Sequence, residues 1–306
     1  MLRGSTCYQI YLPQHHNAPI MNIVTKVYTP GGPPVRWRDY GPHNIILTFL
    51  NHKSLILRLA AREIRARYKG SMIGVAWAFL IPAIMLAIYT FVFTVVFQAK
   101  WNQQVGNRTE FALALFAGLI VFNLFAESVG RAPLLLSENP SYITKVIFPL
   151  EALCWVPLLV SGFNAAVSTA ILLVFYTVTH GLPPLTLLWL PLIMSPMILF
   201  LLGIMLILAP LGLYLPDVRQ IIPPTISILT FASPVFYPIG ALPSPARAIV
   251  SLSPIAFTIE QFRRVTLEHS NPNLVGILIF GLASFLFAWL GYFFFFITKR
   301  GFADVI

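Results

Sequence analysis

Acidic side chains are scarce in this chain, with ten Asp and Glu among 306 residues. They are spread thinly, which excludes a metal site built from several carboxylates. Charge of either sign is also rare. Only 10% of residues are charged, against about a quarter in an average soluble domain. A water-facing surface cannot be assembled from so few, which argues against an ordinary cytosolic enzyme. The two cysteines, Cys7 and Cys154, lie far apart, one in a polar tail and one in an apolar run. That is neither a disulfide framework nor a CxxC pair for zinc or redox work. No Gly-Lys dipeptide occurs, so the chain has no P-loop and cannot hold ATP in that way. HExxH, GxSxG, DxD and metal-spaced Cys/His sets are missing as well. Glu127 and Glu151 fall near the ends of apolar runs and form no paired intramembrane carboxylate relay. No cofactor, metal or catalytic residue is expected, and the chain is not read as an enzyme. Any uphill movement it supports must draw energy from elsewhere.

What is present is apolar. Hydrophobic residues make up 58% of the chain and the mean hydropathy is +0.80. A net charge of +10 suggests nucleic acid at first sight. In so apolar a chain, basic residues instead face lipid headgroups or mark the cytoplasmic side. A bilayer core needs roughly 20 apolar residues per helix. Uncharged stretches run from Ser71 to Ala99, Phe111 to Ala126, Glu151 to Asp217, Gln220 to Ala246 and His269 to Thr298. The third is long enough for two helices, turning at His180-Gly181-Leu182-Pro183-Pro184. Six spans follow, centred near residues 85, 120, 165, 199, 230 and 285. The fifth carries Pro223, Pro224, Pro234 and Pro238 and is read as short, broken or partly re-entrant.

Basic residues set the orientation. Lys53, Arg58, Arg62, Arg65, Arg67 and Lys69 precede the first span, and Arg131, Lys145, Arg219, Lys299 and Arg300 fall on the same side. Both termini are therefore expected in the cytoplasm. Residues 1–43 have no helical or strand period and are read as a disordered tail, with Met21 a second candidate start. They lack the apolar core and cleavage site of a signal peptide. His15 and His16 are read as tail residues, not ligands.

Four segments are candidates for function. Residues 44–70 read as an amphipathic helix, with Arg58, Arg62, Arg65 and Lys69 on one stripe and Leu57, Ala61, Ile64 and Tyr68 on the next. Glu63 and Arg67 are spaced to pair along it. Such a helix lies in the interface, as a topogenic signal or as a docking surface for a cytosolic partner. In the first span Tyr89, Phe93 and Phe97 share a face, with Trp77 nearer the cytoplasmic end. That face suits lipid contact, helix packing, or a ladder over which sugar rings slide. After the second span, Pro133, Pro140 and Pro149 cut the chain into pieces too short to cross, and Glu138, Lys145 and Glu151 keep them at the interface. This is a plain connection or a mechanical contact. In the stretch from Ala241 to Asn273, Ile255, Ile259 and Phe262 suggest a short amphipathic helix that covers an exit or forms a surface loop.

These residues also carry a resemblance. The run Arg62-Glu-Ile-Arg-Ala-Arg-Tyr-Lys-Gly-Ser-Met-Ile-Gly-Val-Ala-Trp77, continuing through Pro82 to Phe97, resembles the start of ABC-2-type permeases that export polysaccharides. Asn139-Pro-Ser-Tyr-Ile-Thr-Lys-Val-Ile-Phe-Pro-Leu-Glu151, Ser233-Pro-Val-Phe-Tyr-Pro238 and Pro254-Ile-Ala-Phe-Thr-Ile-Glu-Gln-Phe-Arg263 resemble later parts of the same family. The four matches keep their order and cover about residues 55–300. Ser253 and Pro216 stand where the family often has Asn and a basic residue.

The resemblance implies an all-α integral membrane protein. Its parts would be a tail (1–43), a cytoplasmic interface helix (44–70) and a six-span domain (71–300) with short outer gate helices between spans five and six. It implies a homodimer in the bacterial inner membrane, served by two copies of a separate ATP-binding cassette ATPase and handling no nucleic acid. The favoured cargo is lipid-linked O-antigen, with capsule, teichoic acid or a small molecule as alternatives. A membrane enzyme acting on polyprenyl-linked sugars is a more distant one. Arg58, Arg62, Glu63, Arg65, Arg67, Lys69, Glu138 and Lys145 would form the coupling interface to the ATPase. Trp77, Tyr89, Phe93, Phe97, Phe231, Phe236 and Tyr237 would line the glycan path, and Glu260, Phe262 and Arg263 would belong to the outer gate.

Overall fold

A computed structural model describes residues 41, 43–96, 108–144 and 148–305, and every regular element among them is helical. Helix α1 (His43–Arg67) is followed by α2 (Trp77–Phe91), which runs into a π-helical turn at Val92–Val96. Next come α3 (Arg108–Arg131), the short α4 (Pro140–Thr144) and α5 (Leu150–Leu153), then α6 (Trp155–His180) and α7 (Leu190–Tyr214). The chain closes with α8 (Asp217–Ala232), α9 (Ser244–Ser251), α10 (Pro254–Thr266), α11 (Leu274–Thr298) and α12 (Phe302–Val305). The prolines after α3 do divide the chain into single turns, Ala132–Leu134, α4 and α5.

Among the described residues, five stretches are long and apolar enough to cross a bilayer: Gly74–Phe91, Thr109–Leu134, Leu150–His180, Leu185–Tyr214 and Leu274–Gly301. They fall on five of the six expected centres. The remaining one, near residue 230, is occupied by α8, whose 16 residues fall short of the usual crossing length of roughly 20. Its helix ends where Ser233 turns extended, just ahead of Pro234.

Helix α3 is the hub. Of its apolar stretch 83% is buried inside the protein, against 11% for the stretch containing α2. Lipid tails are as apolar as leucine, so close packing and hydrogen bonds hold such helices together. Both devices are present. The Ser128 and Ser161 hydroxyls meet at 2.7 Å between α3 and α6. Helices α7 and α11 cross at Gly203 and Gly291, where a Cβ on Gly291 would stand 2.6 Å from the Gly203 carbonyl. Only glycine permits that approach.

The two ends of α3 sort the remaining elements. Near its C-terminus, Glu127 and Arg131 meet α1. At the same end Lys299 pairs with Glu151 at 2.8 Å, Tyr214 donates to the Thr298 carbonyl, and Arg219 donates to the Gly212 carbonyl. Near its N-terminus, the Ala114 carbonyl accepts from Arg263 of α10, which also holds Pro234 and Val235 just beyond α8. Helix α8 therefore starts at the α1 end and finishes at the α10 end. At 1.5 Å per residue, Ala114 and Arg131 stand about 26 Å apart, close to the thickness of a bilayer core of about 30 Å.

Candidate functional site

The first region of interest is α1. Its buried stripe holds Ile56 and Ala60, packed on Ala152, Val156 and Val160 of α5 and α6. Phe49 tilts against Trp155 with ring centroids 4.7 Å apart. The apolar stripe expected from the sequence was Leu57, Ala61, Ile64 and Tyr68, one residue further on. Leu57 is instead 53% exposed, while Ile64 packs beside the buried stripe. Helical period identifies both stripes as apolar, and the docking of α5 and α6 selects between them.

Arg58, Arg62, Arg65, Arg67 and Lys69 are all exposed. Arg58 and Arg65 fold back on the Ser54 and Ala61 carbonyls of their own helix. Glu63 and Arg67 do not pair with each other. Glu63 accepts from Arg131, Arg67 donates to Glu127 at 3.1 Å, and Arg62 donates to the Tyr142 hydroxyl at 3.3 Å. The i,i+4 pair is thus exchanged for two links into the bundle. Glu138, in the turn before α4, is exposed, and Lys145 lies outside the described residues.

Where α1 ends, a cleft of about 600 Å³ opens between α2, α3 and α6. Arg67, Tyr68 and Lys69 line its rim. Trp77 and Tyr89 contribute aromatic surface from the α2 side. The facing side carries Asn123 and Glu127 from α3 with Ser161, Asn164 and Ser168 from α6. Asn164 donates to the second Glu127 oxygen at 2.8 Å, so that carboxylate joins α1, α3 and α6. This polar side did not emerge from the sequence reading, which treated Glu127 as a span-end residue. A signal was available: 123 and 127 are spaced i,i+4, and 161, 164 and 168 are spaced i,i+3,i+7, each set on one helical face.

The expected path residues fall into separate groups. Trp77 and Tyr89 share the cleft. Phe93 stacks on Phe111 at 4.9 Å, and Phe97 lies outside the described residues. Phe231, in the last turn of α8, stacks on Phe236 at 5.6 Å, and Tyr237 donates to the Phe231 and Ala232 carbonyls. The aromatic pair presents Phe231 at 73% exposure.

The α10 end is built differently. Ile255, Ile259 and Phe262 are buried, as their spacing predicts, and Glu260 is exposed. Arg263 is only 6% exposed. Its guanidinium donates to the carbonyls of Ala114, Pro234 and Val235 at 2.7, 2.6 and 2.7 Å. Burial lowers its pKa from the usual arginine range, opposed by the charges of Glu260 and Glu268. Gly118 of α3 makes the room, since a Cβ there would sit 2.4 Å from the guanidinium Nη2. Arg263, which the resemblance assigns to the outer gate, is a buried clamp joining α3, α10 and the turn after α8. Among the described residues no three His, Cys, Asp or Glu side chains cluster to hold a metal.

Comparison with known proteins places this arrangement. The chain is 25% identical over 264 residues to the O-antigen export system permease protein RfbA of Myxococcus xanthus, covering 86% of this chain and 99% of that protein. Two proteins of the same name from Klebsiella pneumoniae are 25% and 24% identical over 228 and 253 residues. Those alignments cover 74% and 82% of this chain, and 85% and 95% of the relatives. The model of the ABC-2 type transporter family matches residues 54–267, from the middle of α1 to just past α10. A basic helix tied to a membrane bundle, a clamped α10 and this match lead to one assignment: the chain is a membrane permease belonging to the ABC-2 type transporter family.

Proposed function

We propose that the chain is the transmembrane subunit of an ATP-binding cassette exporter that moves lipid-linked polysaccharide, O-antigen in the first instance, across the bacterial inner membrane. The observation that carries this reading is the alignment with three O-antigen export permeases over most of both chains. Two copies would enclose the path, and two copies of a separate ATPase would drive it. Helix α1 is the proposed contact for the ATPase. Its exposed arginines would meet a cytosolic surface, while Glu63 and Arg67 tie it to α3, so that a push on α1 would reach the bundle. Glu138 and Lys145 would extend the same interface.

The termini are proposed to be cytoplasmic, because the basic residues concentrate at the α1 end. Helix α8 with the turn that follows it would act as the sixth crossing. Supporting this, its start is held at the α1 end and the turn beyond it at the α10 end. Helices α9 and α10 would cover the exit, and the aromatic groups around Trp77 and Phe231 would line the route.

Two measurements test the reading. The purified chain should hydrolyse no ATP until the ATPase subunit is added, and hydrolysis by the chain alone would refute it. A deletion strain should lose surface glycan and accumulate polymer inside the cell. Intact surface glycan with altered sensitivity to a small molecule would instead favour a permease for another cargo.

A further inference from the structure

Helix α4 is a single turn of five residues between Glu138 and Lys145, the two residues proposed to extend the ATPase interface. An isolated turn of that length does not hold its own shape, so whatever it packs on fixes its position. It exposes Pro140 and Ser141 and turns Tyr142 and Ile143 toward the core. Its backing comes from two sides. On one side the Arg62 guanidinium of α1 donates to the Tyr142 hydroxyl at 3.3 Å, an exposed bond. On the other side α12 packs against it.

Helix α12 is shorter still, with four residues, yet it is firmly anchored. Phe302 is 1% exposed and belongs to the apolar cluster on which Tyr142 and Ile143 pack. Its ring meets Phe295 of α11 edge-on at 5.5 Å and Tyr214 of α7 at 6.0 Å. Tyr214 donates to the Thr298 carbonyl, and a Cβ on Gly301 would stand 2.5 Å from the same phenol oxygen. Lys299 adds its pair with Glu151 of α5 at 2.8 Å, and its ammonium lies 5.7 Å from the centre of the Phe296 ring. The turn between α11 and α12 is thereby fastened to α5, α7 and α11. A four-residue helix has no stability of its own, so these contacts fix α12, and α12 in turn backs α4.

We infer that α12 is a brace that positions α4 for the ATPase, with Phe302 as the positioning residue. A push received on the exposed side of α4 would then pass through α12 to α7 and α11, the two helices that close on each other at Gly203 and Gly291. That route enters the bundle apart from the one through α1 and α3. The inference rests on the coupling interface proposed above and names the part of the permease that holds it in place.

The test uses the full-length permease with its ATPase subunit and reads the affinity between them. Phe302→Ala should weaken binding of the ATPase by about tenfold, since docking must then order about one residue of α4 that α12 had held. Phe302→Leu, which keeps most of the volume, should restore most of the affinity. Leu115→Ala opens a cavity at the α10 end of α3, where Leu115 is fully buried. It should leave the affinity within about twofold of wild type, as a distant site does. Equal losses from Phe302→Ala and Leu115→Ala would reduce the effect to general destabilisation and overturn the brace. Wild-type affinity for Phe302→Ala, with Glu138→Ala weakened, would show that α4 meets the ATPase without help from α12, and would overturn it too. If Glu138→Ala and Lys145→Ala both bind the ATPase normally, the coupling reading fails first and the brace falls with it. Should Phe302→Ala fail to assemble, Tyr214→Phe decides, because it frees the Thr298 carbonyl without opening a cavity. It should speed amide exchange over residues 140–144, and exchange there at the wild-type rate would refute the brace.

Discussion

The two ends of α3 are fastened in opposite ways. At the α1 end, ion pairs among the described residues hold surface elements to the bundle: Arg67 with Glu127, Arg131 with Glu63, and Lys299 with Glu151. The first two are a quarter to two-fifths exposed, and their partners come from different helices. At the α10 end one nearly buried arginine grips three backbone carbonyls. Exposed pairs are individually weak, screened by salt and able to re-form with other partners. A buried guanidinium whose fork matches fixed carbonyls has a single arrangement, and losing it strands every acceptor. One end is built to be rearranged and the other to stay as it is. That division suits the proposed contact of the ATPase with α1.

The largest expected effect tests the fixed end. Arg263→Ala should destabilise the protein by about 3 kcal/mol or more, because buried carbonyls lose their donor and a cavity opens. Reversible unfolding in mixed micelles measures it. Arg263→Lys should recover only part of the loss, since an ammonium cannot reproduce the planar fork. A loss below about 1 kcal/mol for Arg263→Ala would mean the carbonyls find other partners, and the contrast between the ends would collapse.

Gly118→Ala comes next. The added methyl would stand 2.4 Å from the Arg263 Nη2, and overpacking of this kind costs about 1–3 kcal/mol. The decisive measurement is the double-mutant cycle. With Arg263 already shortened to alanine, the methyl has space and its cost should largely vanish. Equal costs in both backgrounds would show that the helix backbone, not the guanidinium, sets the requirement for glycine.

How much of this was legible in advance follows from which signals are local. Apolar runs mark α2, α3, α6, α7 and α11 because each contains an uncharged apolar stretch, and the burial of Ile255, Ile259 and Phe262 follows from helical spacing alone. Proline positions revealed the broken segment after α3 and the shortness of α8. Pairings were not legible. Glu63 and Arg67 are ideally spaced to meet, yet each finds a partner on α3, more than 55 residues away in sequence. The resemblance placed Arg263 in the outer gate, and nothing local says that Gly118 leaves a hole for its guanidinium. The cleft was half legible. Its aromatic side stood out by residue type, whereas its polar side is spread over two helices and becomes a site only when they pack.

The smallest effects test the adaptable end, and their order is fixed by burial. Glu151→Gln should cost the most of the three, about 1 kcal/mol, because Lys299 and Glu151 are the least exposed pair at 27% and 12%. Glu63→Gln should cost less, and Arg67→Gln the least, at about 0.5 kcal/mol or under. Raising the salt toward 1 M, where the screening length shrinks to about 3 Å, should erase the last two while leaving the Arg263 loss intact. Arg67→Gln has a second consequence that Glu151→Gln lacks. It frees a Glu127 oxygen at the rim of the cleft, so protease cutting between α1 and α2 should speed up more than the small stability change accounts for. If Arg67→Gln instead proves as costly as Arg263→Ala and indifferent to salt, the α1 end is as rigid as the α10 end, and the proposed push on α1 cannot reach the bundle through this pair.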